Sequence, residues 1–149
     1  MYPNAKGSET VAILATLDPV SQAVSTVTTG WISLANFHAL MAVIHTGLLG
    51  AAATVDAKLQ QALDNAGTGV KDVPGKSLVQ LTQVGGGSSK QALINLKPEE
   101  LDTVGGFGWV RLSLSVGVAA SLVAAQVWGV APRFAPADAF DQAAVSQII

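Results

Sequence analysis

The chain contains no cysteine, which excludes disulfides, thiolate nucleophiles and thiolate metal sites. Charge is also scarce: Asp, Glu, Lys and Arg make up 12% of the 149 residues, against roughly 25% in an ordinary soluble domain. Eight Lys plus Arg against ten Asp plus Glu give a net charge of −2, so the basic surface that phosphate contacts need is missing and no nucleic-acid partner is expected. Aromatic residues are 5% of the chain, and the 50% hydrophobic content therefore comes from small side chains, 24 of them alanine. A chain of this length and composition has material for one core, built from closely approaching layers.

Two stretches carry no formal charge at all, the 37 residues between Asp18 and Asp56 and the 21 between Arg111 and Arg133. Length alone would let either span a bilayer. The second, however, runs on from a strict alternation, with Val110, Leu112, Leu114 and Val116 against Trp109, Arg111, Ser113 and Ser115, which is the period of a strand with one buried face. The first is interrupted by Thr26, Thr28, Thr29, Ser33, Asn36 and two histidines, each costly in hydrocarbon. No membrane span is expected. The N-terminal residues, with Lys6 and Glu9, lack the basic, apolar and small-residue regions of a secretion signal, and the absence of cysteine fits synthesis in a reducing cytoplasm.

Strand signals dominate the rest of the chain. Residues 20–34, rich in Val, Thr and Ile, read as extended structure with turns at Asp18-Pro19 and Thr29-Gly30, and residues 39–46 read as a strand buried on both faces. Residues 77–83 and 91–96 suggest one hairpin around a loose Gly85-Gly86-Gly87-Ser88-Ser89 loop; residues 109–116 and 121–130 suggest another around residues 117–120. Lys97-Pro98-Glu99-Glu100-Leu101-Asp102 predicts a single helical turn, ending before Gly105-Gly106. Residues 51–67 are ambiguous: Val55, Leu59, Ala62 and Leu63 have helical spacing, whereas Thr54, Asp56, Lys58 and Gln60 alternate with Val55, Ala57 and Leu59 until Gln61 breaks the apolar side. Periodicity alone favours the helix. The apolar finish at Val145, Ile148 and Ile149 suggests an arm that docks on something.

No set of residues converges on catalysis. Val70 to Ser77 imitates a phosphate loop, but the glycine spacing fails and Pro74 removes a donor amide, leaving a turn between two strands as the better reading. His38 and His45, seven apart, fall on opposite faces of a strand and cannot chelate one ion together. Glu99, Glu100 and Asp102 diverge on one short turn and read as a solvated helix start. Trp31, Trp109 and Trp128 could form a sugar platform but more often serve as core or interface anchors. No enzyme activity, cofactor or metal is expected.

Eighteen charged residues are too few to keep the whole exterior of a small domain hydrated, which points to a subunit whose surface is covered by companions, either copies of itself as a dimer or trimer or another protein. One further pattern gives that idea a family. Ala53-Thr54-Val55-Asp56-Ala57-Lys58-Leu59-Gln60-Gln61-Ala62, then residues 64–69 and 70–81, resembles the strand, polar loop, strand signature of small β-sandwich virion proteins of tailed bacteriophages. The Trp109-Val110-Arg111-Leu112-Ser113-Leu114 strand with its Ala- and Ser-rich successor is similar to the end of such domains. The pattern covers residues 19–134 and departs from the family at Ala62 and Leu63, where more polar residues are common.

The resemblance turns residues 51–66 from helix to strand. It implies an all-β chain: a single β-sandwich or jelly-roll-like domain at 19–134, an N-terminal arm at 1–18, a C-terminal arm at 135–149, and at most one or two short helical turns. It further implies a capsid decoration or cement protein on the virion surface, bound to the major capsid protein. Trp31, Trp109, Trp128, Phe134, Phe140, Val145, Ile148 and Ile149 are the candidate interface residues. Competing readings are another virion part, such as a head-tail connector or spike base, and a carbohydrate-binding β-sandwich using the tryptophans.

Overall fold

A computed structural model describes residues 3–134 and 136–149. Ten strands follow in order: β1 (Val11–Gln22), β2 (Ser25–Thr28), β3 (Ile32–Ser33), β4 (Phe37–Thr46), β5 (Thr54–Ala62), β6 (Lys71–Ser77), β7 (Leu81–Thr82), β8 (Gln91–Leu96), β9 (Trp109–Gly117) and β10 (Ser121–Pro132). One short helix, Gly7–Thr10, and two 3₁₀ turns, Pro98–Glu100 and Ala137–Phe140, complete the elements. Sheet A has the order β1-β10-β4-β8; sheet B has β2-β9-β5-β6, with β3 beside β9 and β7 beside β5. All pairings are antiparallel, and the chain repeatedly leaves one sheet for the other. This is the jelly-roll-like β-sandwich that was expected.

The alternation read from the sequence places the core between the sheets. From sheet A come Leu40, Ala42 and Ile44 of β4 and Val123, Ala125 and Val127 of β10; from sheet B come Val55, Ala57 and Leu59 of β5 and Val110, Leu112, Leu114 and Val116 of β9, all buried. Burying each of the larger side chains contributes about 1.5–3 kcal/mol. Ala42, Ala57 and Ala125 are the small residues of these rows. At one end the turn Ala137–Phe140 closes a second, smaller cluster, with Phe140 edge-on to Phe37 at 5.6 Å between centroids and Ala12 and Ala137 buried beside them. Gly129 is required here, since a Cβ at that position would lie 2.7 Å from the Phe37 ring.

Four expectations are corrected. Residues 11–18 are not an arm: they form most of β1, whose register with β10 shifts between Ile13 and Ala15 and again between Leu17 and Val20, around Pro19. Neither expected hairpin exists, because β7 and β8 lie in different sheets, as do β9 and β10. Alternation specifies which face of a strand is buried, but says nothing about whether the next strand turns back or crosses to the facing sheet. The glycine-rich loop is not loose either: the Thr46 hydroxyl donates to the Gly87 carbonyl at 2.6 Å, the Ser89 N–H donates to Gly47, and the Leu49 N–H donates to Ser88 Oγ. The imitation of a phosphate loop is the edge strand β6, broken by Pro74 and by Gly75 at φ +73°.

Residues 54–62 are the strand that the resemblance favours, and Gln61 explains the conflict. Its side chain is buried, with Oε1 accepting the Asp102 N–H at 2.8 Å, so the residue that spoils the apolar pattern anchors the β8–β9 crossover. The same crossover is tied to β6 by two ion pairs, Lys71 to Asp102 at 2.6 Å and Lys76 to Glu100 at 3.0 Å. The Lys71 ammonium holds the Asp102 carboxyl below its ordinary range, helped by the Gly105 N–H; the Lys97 N–H and then Lys76 do the same for Glu100.

Gln61→Leu removes the acceptor and should cost about 1–3 kcal/mol in urea unfolding, with an unchanged denaturant slope. A depressed carboxyl stabilises the fold above its unfolded-state pKa and loses that contribution as pH falls through the folded-state value. A Glu100→Gln, Asp102→Asn double variant should therefore melt lower than the parent at neutral pH, and the gap should close as pH drops below the usual carboxylate range in a series of thermal melts.

Candidate functional site

The two sheets present opposite kinds of outer face. On sheet B, β9 turns Arg111, Ser113 and Ser115 outward beside Asp56, Lys58 and Gln60 of β5. These groups bond one another: Lys58 to Asp72 at 2.9 Å, Gln60 Nε2 to Asp72 Oδ1 at 3.0 Å, Arg111 Nε to Gln60 Oε1 at 2.9 Å, and Thr26 to Ser115 at 2.7 Å. The Lys58 ammonium, then the Gln60 amide, hold the Asp72 carboxyl below its ordinary range. A cleft of about 340 Å³ lies over this face, lined by Asp56, Lys58, Asp72, Ser77, Ser113 and Ser115 among others and by no aromatic ring.

Sheet A is different. The residues of β4 opposite the core are Ala39, Met41, Val43 and His45; across from them stand Val130, Trp128, Gln126 and Ala124 of β10, and Asn95, Leu93 and Gln91 of β8. None is formally charged. Leu93 is 55% exposed and Leu122, at the end of the β10 row, 46%, while Met41, Val43 and Trp128 are half-buried by their neighbours in the sheet. Residues 39–46 were expected to be buried on both faces; within this chain one face is buried and the other is not. An open groove of about 540 Å³, lined by Pro19, Val20, His45, Leu122 and Ala124 with others, continues the face toward the β1 bulge.

The predicted interface residues scatter. Trp128 lies in the outer face of sheet A, its indole N–H donating to Gln126 Oε1 at 2.8 Å. Trp109 is at the start of β9, in sheet B, paired with Ala62 and Ser33. Trp31 precedes β3 with the Arg111 guanidinium 4.6 Å from its ring centre, so one face of that ring is already occupied. The three tryptophans form no common platform. Phe140 is spent on Phe37 within the chain; Phe134 is exposed, and beyond a half-buried Val145 the tail ends with Ile148 and Ile149 in solvent. Met41, Val43, Leu93 and Leu122 were missed. The available signal was that residues 39–44 are apolar at odd as well as even positions, which one core cannot use.

The remaining candidates stay apart. His38 and His45 are both exposed on β4, His45 within 3.2 Å of the Gln91 amide nitrogen. Glu100 and Asp102 face different lysines. Among the described residues no three His, Asp or Glu come together as a metal-ion site, and no helix is long and apolar enough to cross a membrane.

No family model matches the chain, and no curated protein matches it by sequence. Among solved structures it is similar to that of Desmodium yellow mottle tymovirus, with 11% identity, 90% of this chain and 94% of that chain covered, and a TM-score of 0.40. The Cowpea mosaic virus empty virus-like particle gives 10% identity, 89% of each chain and 0.44. The CBM22-1 xylan-binding domain of Paenibacillus barcinonensis Xyn10C gives 16%, 87% and 84%, and 0.39. The strand order, rather than these distant likenesses, defines the fold.

Proposed function

We propose that this chain is a virion structural protein of the decoration or cement type, attached to the major capsid protein of a tailed-bacteriophage head through the outer face of sheet A. The observation that carries this reading is the uncharged, apolar outer face built on Met41, Val43, Leu93, Leu122 and Trp128 in a chain already short of charge. Exposed apolar patches rimmed by polar residues mark interaction surfaces, and a half-buried Trp at the centre of such a patch is a typical anchor. A cement protein works by adding buried area across seams between capsid subunits, which needs a broad sticky face and no catalytic groups. The end of the tail, residues 143–149, can add contact without taking part in the core. A sugar-binding role is less well supported, since the cleft over Lys58 and Ser113 has no aromatic lining, Arg111 already occupies one face of the Trp31 ring, and Trp128 lies on the other sheet from Trp31 and Trp109.

Co-sedimentation with heads assembled from the cognate major capsid protein tests the proposal. The intact chain should saturate the heads. Met41→Glu, which places an unpaired carboxylate in the contact, should weaken binding at least about tenfold, or about 1.4 kcal/mol, with the melting temperature of the free protein little changed. Deletion of residues 143–149 should leave the domain folded and lower occupancy. Heads that ignore the intact chain, or that bind Met41→Glu as tightly, would overturn the assignment.

A further inference from the structure

Sheet edges carry unpaired backbone groups, and this protein protects three of its four. At β1 the tail takes over: Asp141 Oδ1 accepts the Ile13 N–H at 2.7 Å, and the Gln142 N–H donates to the Ile13 carbonyl at 2.8 Å. At β6, Pro74 and the left-handed Gly75 break the edge, and the register with β5 shifts between Lys58 and Gln60. β2 is four residues long.

The fourth edge, β8, has no such device. Its register with β4 is unbroken from Gln91 to Leu96, and it holds neither proline, glycine nor charge. The Thr46 N–H donates to the Lys90 carbonyl at 2.8 Å, which fixes the phase of the ladder: Ala92, Ile94 and Leu96 bond to β4, and Gln91, Leu93 and Asn95 aim their N–H and C=O groups away from it. Among the described residues no hydrogen bond reaches those outward backbone groups.

The strand is also complementary to itself. We propose that β8 pairs antiparallel with β8 of a second copy about a twofold axis at Leu93, joining two A sheets into one. In that register Leu93 meets Leu93, Gln91 meets Asn95 so that side-chain amides face each other, and Ala92 meets Ile94, small against large. Every outward backbone donor and acceptor of the three open residues is used. Lys90 falls opposite Leu96 and Lys97 opposite Ser89, so no like charges are opposed. An isologous contact requires a surface that matches its own image, and this sequence supplies one. Leu93 belongs to the apolar outer face as well, so the joined sheet brings the two outer faces together on one side. The inference rests on the edge and its sequence, not on the capsid reading.

Equilibrium sedimentation of the full chain should give twice the 15.1 kDa chain mass at micromolar concentration. Leu93→Lys and Leu93→Glu should each be folded monomers, and an equimolar mixture should recover the dimer, because residue 93 faces itself. Leu93→Cys gives an independent reading in a chain without cysteine: the facing Cα atoms of a hydrogen-bonded antiparallel pair are about 5.5 Å apart, within disulfide reach, so oxidation should cross-link it far faster than Val104→Cys, a fully exposed control. A monomeric parent, a dimer indifferent to both charge variants, a mixture that stays monomeric, or equal cross-linking at 93 and 104 would overturn the pairing. A parent chain that sediments as a monomer yet saturates the heads would leave the capsid reading standing while the dimer fails.

Discussion

Sheet A carries large apolar side chains on both faces, and one core can cover only one of them. In an antiparallel sandwich the usual arrangement is alternation, apolar inward and polar outward, as sheet B follows with Ser113 and Ser115 opposite Lys58 and Asp56. β4 and β10 break the rule: Met41, Val43, Trp128 and Val130 face outward while Leu40, Ala42 and Val127 fill the core. The distribution of charge follows from this. Every ion pair among the described residues joins β5, β6 or the β8–β9 crossover, while the outer rows of β4, β8 and β10 carry apolar and neutral polar side chains. The molecule thus has one outer face laced with ion pairs and another whose β4, β8 and β10 rows carry no formal charge.

The chain ends serve the same division. Residues 136–142 are committed to the domain, through Phe140 on Phe37 and through the Asp141 and Gln142 bonds to Ile13. Beyond them only Val145 is part-buried. The C-terminal arm expected at 135–149 thus has two parts, one closing an end of the sandwich and guarding an edge, the other free for contact.

Local chemistry was legible where a single strand or turn decides it. The alternation of residues 109–116, the apolar run of 39–46 and the proline-led turn at 98–100 all appear where the sequence places them. Three things were not legible. Crossovers depend on the facing sheet: residues 117–120 pack against Gly50, where a Cβ would lie 2.5 Å from the Ala120 carbonyl oxygen, and nothing within residues 109–130 encodes that neighbour. β5 was obscured by Gln61, whose burial is rewarded by a crossover forty residues later. β1 was hidden in an expected arm, although Val11-Ala12-Ile13-Leu14-Ala15-Thr16-Leu17 is an apolar run of strand length. The tryptophans offered no positional signal, and their roles proved to be three different ones.

The position of β10 has a bearing on how the protein is made. This strand, Ser121–Pro132, lies in the middle of sheet A and bridges β1 and β4, although it is the last of the ten described strands to be synthesised. Until it emerges, β1 has no partner in its sheet, and the oily strands already synthesised must wait unpaired. Folding of this half of the molecule therefore waits for β10 and is dominated by contacts distant in sequence, a topology that is intrinsically slow and exposed to aggregation. Scarcity of large aromatic side chains in those waiting strands limits how strongly they can stick to the wrong neighbour in the interval.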